Sequence, residues 1–168
     1  MKSIKLIAIG MVVLLFANKS QAQATASASA SATIVTPISI TKDVDMNFGN
    51  VAVQTLNAGT VILAPDGSRT VTGGVTIPVS TGTVTAASFT VDGEGSYLYD
   101  ITLPSSITIT DGTHNMTVNG FSSDPDTQGQ LSSGTQTLNV GATLNVNAAQ
   151  AAGSYTTTSP FDVTVNYN

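Results

Sequence analysis

The last eight residues of the chain alternate between apolar and polar side chains without interruption. Phe161, Val163, Val165 and Tyr167 would face one side of a strand, and the polar residues between them would face the other. Full burial of four such side chains contributes at most about 1.5–3 kcal/mol each. Their sum is comparable with the free energy of unfolding of a typical domain, about 5–15 kcal/mol. This stretch therefore predicts a half-buried terminal strand that the fold requires.

Short alternating segments recur along the rest of the chain and are separated by turn residues such as Pro65-Asp66-Gly67. No segment longer than the Ala-rich turn near residue 150 has a helical period. The pattern predicts an all-β fold, namely an immunoglobulin-like or pilin-like two-sheet antiparallel β-sandwich of about 8–10 strands. The alternating segments from which these strands are drawn are residues 34–40, 60–64, 69–72, 75–79, 87–91, 97–103, 106–110, 116–121, 135–140, 143–147 and 161–168.

Four connections follow from local turn chemistry. Asp111-Gly112 predicts a hairpin, and Gly141-Ala142 predicts a second one whose two strands bury leucine and valine side chains on one face. Residues 122–133 are polar and contain a proline, which predicts a long loop. Gly49-Asn50 suits a turn that tolerates positive φ, directly after the expected core residue Phe48.

The first 22 residues have the organisation of a secretory signal peptide. Lys2 and Lys5 precede an apolar run, residues 6–17, and small Ser20 and Ala22 stand where a signal peptidase reads the chain. The alternative, a membrane anchor, would need about 20 apolar residues, more than this run provides. We therefore expect an exported protein in the periplasm, on the cell surface or outside the cell, with no membrane insertion after cleavage.

Charged residues make up 9% of the chain, and there is no cysteine. Disulfides and thiolate metal sites are therefore excluded. After signal cleavage Lys42 and Arg69 are the remaining basic residues, against ten acidic ones. Such a surface does not attract phosphate groups, so we expect no nucleic-acid partner.

Residues 23–32 alternate alanine with serine or threonine. The side chains are too small to bury much apolar area, which favours a flexible, exposed arm. The alternative is a strand that becomes ordered only on a partner. Residues 33–168 are then expected to form a single β-sandwich domain.

Candidate chemical groups are few. His114 follows Asp111 in a predicted turn and has no Ser or Cys nucleophile at a motif spacing, so a solvated turn residue is expected. Calcium needs six to eight oxygen ligands, and two carboxylates in one loop are ordinary turn chemistry. We therefore predict no catalytic, cofactor-binding or metal-binding residues. The paired carboxylates are Asp43 and Asp45, Asp92 and Glu94, and Asp124 and Asp126.

Four segments together resemble a bacterial family of exported domains of unknown function. They are Thr-Pro-Ile-Ser-Ile (36–40), Met-Asn-Phe-Gly-Asn (46–50), Leu-Asn-Val-Gly-Ala-Thr-Leu-Asn-Val (138–146), and the C-terminal segment from Ala-Gly-Ser-Tyr to Val-Thr-Val-Asn-Tyr (152–167). The resemblance covers nearly the whole chain after the signal peptide. It implies export and a β fold, and no activity.

The C-terminal segment is also similar to the last strand of chaperone–usher fimbrial subunits. Those end in alternating apolar residues with an aromatic residue next to last, as Tyr167 is here, and have a glycine upstream, as Gly153 is here. The resemblance implies that a neighbour's N-terminal arm supplies a missing strand. This chain departs from it in having Ala and Ser in its arm and no cysteine pair.

These features favour a non-enzymatic, exported structural or adhesive surface protein that resembles a fimbrial subunit. Its expected partners are other copies of itself or fimbrial subunits, bound by strand addition. The alternative is a monomeric secreted binding module for a glycan or calcium. A hydrolase that depends on His114 or on paired acids is the least favoured interpretation.

Overall fold

The computed structural model describes residues 22–168. The predicted signal peptide, residues 1–22, therefore lies outside the described residues except for its last position. The chain divides into two units, Met1–Ile34 and Val35–Asn168. In the first unit, residues 22–34 form no regular secondary structure, and all of them are exposed. The exposed fraction of Ile34, the largest apolar residue among them, is 97%. The predicted arm, residues 23–32, lies in this unit.

Residues 22–168 form thirteen strands and no helix, and none of the described residues provides a helix that could cross a membrane. All strand pairs are antiparallel. The prediction of an all-β antiparallel fold is confirmed, and the number of strands exceeds the predicted 8–10 because three of them have only two residues. The strands are β1 Ser39–Val44, β2 Ala52–Val53, β3 Gly59–Leu63, β4 Arg69–Gly73, β5 Val75–Thr76, β6 Ala87–Asp92, β7 Leu98–Thr102, β8 Ser106–Thr110, β9 Asn115–Asp124, β10 Gln128–Gln130, β11 Thr135–Val146, β12 Thr156–Thr157 and β13 Thr164–Tyr167.

The described strands form three sheets. The large sheet has eight strands in the order β1-β6-β11-β9-β8-β12, with β3 also paired to β11 and β4 paired to β3. The two smaller sheets are β10-β7-β13 and β2-β5. They supply side chains that pack on the inner face of the large sheet, so the architecture is consistent with a β-sandwich whose second layer has two parts.

The predicted hairpin at Gly141-Ala142 is wrong, because β11 continues through both residues as one twelve-residue strand. Both residues are buried, and a Cβ on Gly141 would overlap the carbonyl oxygen of Leu63 on the neighbouring strand. The apolar residues keep their alternation through the strand. Those on its buried face are Leu138, Val140, Ala142, Leu144 and Val146.

The core consists of two clusters of buried side chains. The first lies between β6, the first half of β11 and the β10-β7-β13 sheet, and includes Phe89, Tyr99 and Leu138. The second lies between β3, β9, the second half of β11 and β5, and includes Val118 and Leu144. The half-buried side chains of Met46 and Phe121 pack against both clusters.

The terminal strand has the predicted orientation over a shorter length. Val165 is buried with 7% exposure, and the apolar side chains before and after it are half-buried, while the polar residues between them are exposed. Strand β13 begins only at Thr164, which pairs with Thr102 of β7. Residues 161–163 continue the alternation without a partner strand, because β7 ends just before Pro104, which has no N–H to donate.

Three local predictions need correction. The first strand begins at Ser39 rather than at residue 34. The predicted loop 122–133 contains the end of β9, all of β10 and the buried side chain of Leu131. The predicted strand 75–79 ends after Thr76, and Val79 is fully exposed. In each case tertiary packing, rather than local alternation, decides where pairing stops.

One row of residues on the outer face of the large sheet is polar and uncharged across five adjacent strands. The row runs across the sheet through β8, β9, β11, β3 and β4, with one residue from each strand. Each residue is paired directly with the residue on the next strand. The hydroxyl groups of Thr60 and Thr72 in this row are hydrogen-bonded at 2.7 Å, and the Asn145 side chain donates to the backbone carbonyl of Thr117 at 3.1 Å. The row consists of Thr108, Thr117, Asn145, Thr60 and Thr72.

Candidate functional site

A cleft of about 1180 Å³ opens onto the inner face of the large sheet. We call it the interlayer cleft. Its floor is formed by apolar side chains of four adjacent strands, including Phe89, Leu144, Val118 and Ile109. Several of these residues belong to the buried core, so the cleft reaches core side chains.

One wall of the interlayer cleft is the segment 44–53, which a set of polar contacts holds in place. Gly49 has φ +70°, as predicted for this turn, and its N–H donates to the side-chain oxygen of Asn47 at 2.8 Å. The Asn50 side chain donates to the carbonyl of Ser80 at 3.0 Å. Arg69 donates to the carbonyl oxygens of Phe48 and Asn50. The half-buried Phe48 ring is thereby directed towards the second core cluster.

The opposite wall is formed by residues 150–157 together with Pro160 and Phe161. The Tyr155 hydroxyl donates to the carbonyl of Ala151 at 2.8 Å and accepts from the Gln150 side chain at 3.0 Å. Phe161 packs against Phe121 with ring centroids 5.3 Å apart. This wall contains no extended pairing except the two-residue strand β12.

A second, smaller cavity of about 370 Å³ lies at the start of the terminal strand. It is lined by Pro104, Ile107, Phe161 and Thr164, among others. Within the described part of the chain, no backbone hydrogen bond joins residues 158–163 to another segment. Space and free backbone groups therefore occur together beside this segment.

The interlayer cleft is large and mostly apolar. Sites for small ligands usually enclose about 300–1,000 Å³, and this cleft exceeds that range. The charged pair on its rim is exposed, with the ammonium of Lys42 2.7 Å from the carboxylate of Asp45.

His114 lies in the predicted turn, and its neighbour is Asp111. The ring nitrogen Nδ1 is 3.0 Å from the Asp111 carboxylate, and the imidazole is half-exposed. The backbone N–H groups of His114 and Thr113 also donate to this carboxylate, and the former is the main reason why the pKa of Asp111 lies well below its usual value. These contacts stabilise the β8–β9 hairpin and bring no nucleophile to the imidazole.

The paired carboxylates do not converge. Asp43 accepts a hydrogen bond from the hydroxyl of Thr90 at 2.9 Å, and Asp45 pairs with Lys42. Glu94 accepts from the backbone N–H of Thr36, which lowers the pKa of this carboxyl. Among residues 22–168, no three His, Cys, Asp or Glu side chains are close enough together to hold a metal ion.

The interlayer cleft itself was not predicted from the sequence. Its floor residues alternate like any buried strand face, so each was expected to be ordinary core. One feature of the sequence could have indicated the cleft. The strands of the large sheet present more apolar residues than the segments of the second layer can cover.

Comparison with known proteins gives one match. No curated protein and no solved structure matches the chain. A family model described as a domain of unknown function (DUF4402) matches residues 38–167, from the start of β1 to the end of β13. The chain therefore belongs to this family, the domain of unknown function DUF4402.

Proposed function

We propose that this chain is an exported, non-enzymatic structural subunit, similar to a fimbrial subunit, that assembles by accepting an extended strand in the interlayer cleft. The observation that carries the proposal is that the cleft is lined by apolar side chains that are only half-buried, such as Phe48, Ile109 and Phe161. Apolar area removed from water contributes about 25 cal/mol per Å². Covering this floor with a strand would therefore stabilise the complex.

Backbone pairing is available to the incoming strand. Residues 158–163 have no backbone partner in another described segment, and two of them, Pro160 and Phe161, lie on the wall of the interlayer cleft. Peptides that add a strand to a sheet gain affinity from main-chain hydrogen bonds and specificity from alternate side chains. The cleft and this segment together offer both kinds of contact.

The donor that we favour is the arm of a second copy, residues 23–33. Its alternation of Ala with Ser or Thr gives a strand one apolar and one polar face. The cleft is lined by large side chains, including Phe48, Phe89, Ile109 and Phe161. Small donor side chains complement large ones on the opposing surface, because the donor backbone can then approach the floor closely.

Deletion of residues 23–33 tests the proposal. The deletion stops at 33 because Ile38 and Ile40 pack against the first core cluster of their own domain. Purified residues 23–168 should form ladders in SDS gels that disappear on heating, since strand-complemented assemblies dissociate slowly. The deleted variant should remain monomeric.

A matched pair of variants in β8 tests whether the interlayer cleft is the acceptor. Ile109→Trp fills the cleft and should abolish the ladders, whereas Thr108→Trp, on the opposite face of the same strand, should leave them unchanged. A wild-type chain that is strictly monomeric at every concentration would refute the proposal. So would equal ladders from both variants.

A further inference from the structure

Both backbone polar groups of Thr36 are bound by side chains from distant parts of the domain. Its N–H donates to the carboxylate of Glu94 at 2.9 Å, and its carbonyl accepts from the hydroxyl of Tyr167 at 2.9 Å. The backbone N–H of Glu94 donates in turn to the Tyr167 hydroxyl. We call these three hydrogen bonds the Thr36 clasp.

The surroundings of the clasp hold the Tyr167 ring in position. The edge of the Tyr97 ring packs against it, with centroids 5.6 Å apart and an interplanar angle of 67°. A Cβ on Gly93 would overlap the Tyr167 hydroxyl, so a larger residue at 93 would displace it. The Tyr167 hydroxyl therefore has one well-defined position, with a donor and an acceptor both in place.

Thr36 occupies a particular place in the chain. The first unit ends at Ile34 and the second begins at Val35, so Thr36 is the second residue of the second unit. It directly precedes Pro37. A residue before proline is restricted to extended backbone conformations. The clasp and the proline together fix the position and the extended conformation of the residue from which the arm leaves the sandwich.

We infer that Glu94 and Tyr167 are positioning residues that fix the root of the N-terminal arm for strand addition to a partner. The inference rests on the proposed function, because it assigns a purpose to the arm. A fixed root lowers the conformational entropy that the arm loses on binding, so the bound state is favoured without any new contact to the partner. The clasp thus acts on assembly more than on the stability of the single domain.

Hydrogen exchange tests the clasp independently of assembly. The Thr36 amide should be protected in the wild-type chain and should exchange about tenfold faster in Glu94→Ala and Tyr167→Phe, as expected for the loss of one or two hydrogen bonds. Glu94→Gln keeps an acceptor oxygen and should retain most of the protection. Tyr99→Phe is the matched control, because Tyr99 lies in the same sheet as Tyr167 and its hydroxyl bonds Gln136 of β11 rather than Thr36. An unprotected Thr36 amide in the wild-type chain would overturn the inference.

The rate of ladder formation tests the link to assembly. At a temperature where every variant remains folded, Tyr167→Phe and Glu94→Ala should form ladders several-fold more slowly than wild type, and Glu94→Gln and Tyr99→Phe should not. Equal rates in all variants, with the wild-type chain assembling, would refute the clasp and leave the proposed function intact. Absence of ladders from the wild-type chain would refute the proposed function, and the clasp as a device for assembly would fall with it.

Discussion

At the scale of single residues, polar groups that look like candidate chemistry serve the local backbone. Arg69, one of two basic residues among residues 22–168, binds the carbonyl groups of Phe48 and Asn50 and so holds one wall of the interlayer cleft. Asp111 holds the tip of the β8–β9 hairpin by accepting backbone N–H groups. The sequence indicated the turn at Asp111-Gly112 correctly, but the role of Arg69 depends on a contact 21 positions away.

The low pKa of Asp111 predicts a pH dependence of stability. A carboxyl whose pKa is lowered by folding stabilises the folded state above its unfolded pKa of about 3.9, and this stabilisation is lost as the pH falls through the folded value. At pH 7 the Asp111→Ala variant should therefore melt at a lower temperature than wild type. The difference should shrink progressively below about pH 3.9. Melting temperatures measured from neutral to acidic pH would check this, and a constant difference would contradict it.

At the scale of elements, β11 shows where local sequence reasoning fails. Gly-Ala between two alternating segments has the composition of a turn, and the chain was accordingly predicted to reverse there. The structure instead uses Gly141 where the backbone of β3 approaches closely. The alternation from Leu138 to Val146 keeps the same phase across Gly141-Ala142, as one uninterrupted strand requires. The constant phase of this alternation was the sequence feature that favoured one continuous strand over a hairpin.

Gly141→Ala should destabilise the domain by about 1–3 kcal/mol, the usual cost of inserting a methyl group into a well-packed core. The backbone of Leu63, Ala64 and Pro65 surrounds the position, and it cannot move away as a flexible side chain could. Gly153→Ala is the control, since the nearest atom there belongs to the side chain of Asp111 at 3.3 Å. Chemical denaturation would measure both. Equal stability of the two variants would indicate that β11 is interrupted at Gly141.

The terminal strand was predicted well because its signal is local. The alternation of Phe161, Val163, Val165 and Tyr167 needs no knowledge of the rest of the chain, and all four side chains face the core. Its start was misplaced by three residues because pairing depends on Pro104, which lies on another element. Strand pairing is a property of two segments, whereas alternation is a property of one.

At the scale of the whole molecule, the fold class followed from the sequence, and the interlayer cleft did not. Period-two alternation and turn residues specify strands and their buried faces. They do not specify how much of a buried face the second layer covers. The half-buried floor residue Ile109 is indistinguishable in sequence from core residues that lie beneath a complete layer.

A peptide of residues 23–34 should stabilise the variant that lacks residues 23–33. Because the peptide binds the folded state, a concentration 100 times its Kd should add about 2.7 kcal/mol to the free energy of unfolding. A peptide of the same composition with its Ala residues grouped together is the control, since it cannot present one apolar face. Thermal melts with each peptide would check this. Equal shifts would show that alternation in the arm is irrelevant to binding.

The hydrogen bond from Tyr167 to Thr36 joins residues 131 positions apart. Contacts so distant in sequence form slowly, because a long loop must close before they contribute. If the chain is exported, as we propose, Tyr167 would leave the translocation channel 131 residues after Thr36. Thr36 would then remain without its Tyr167 partner during most of export, and the chain would depend on protection from aggregation until β13 pairs.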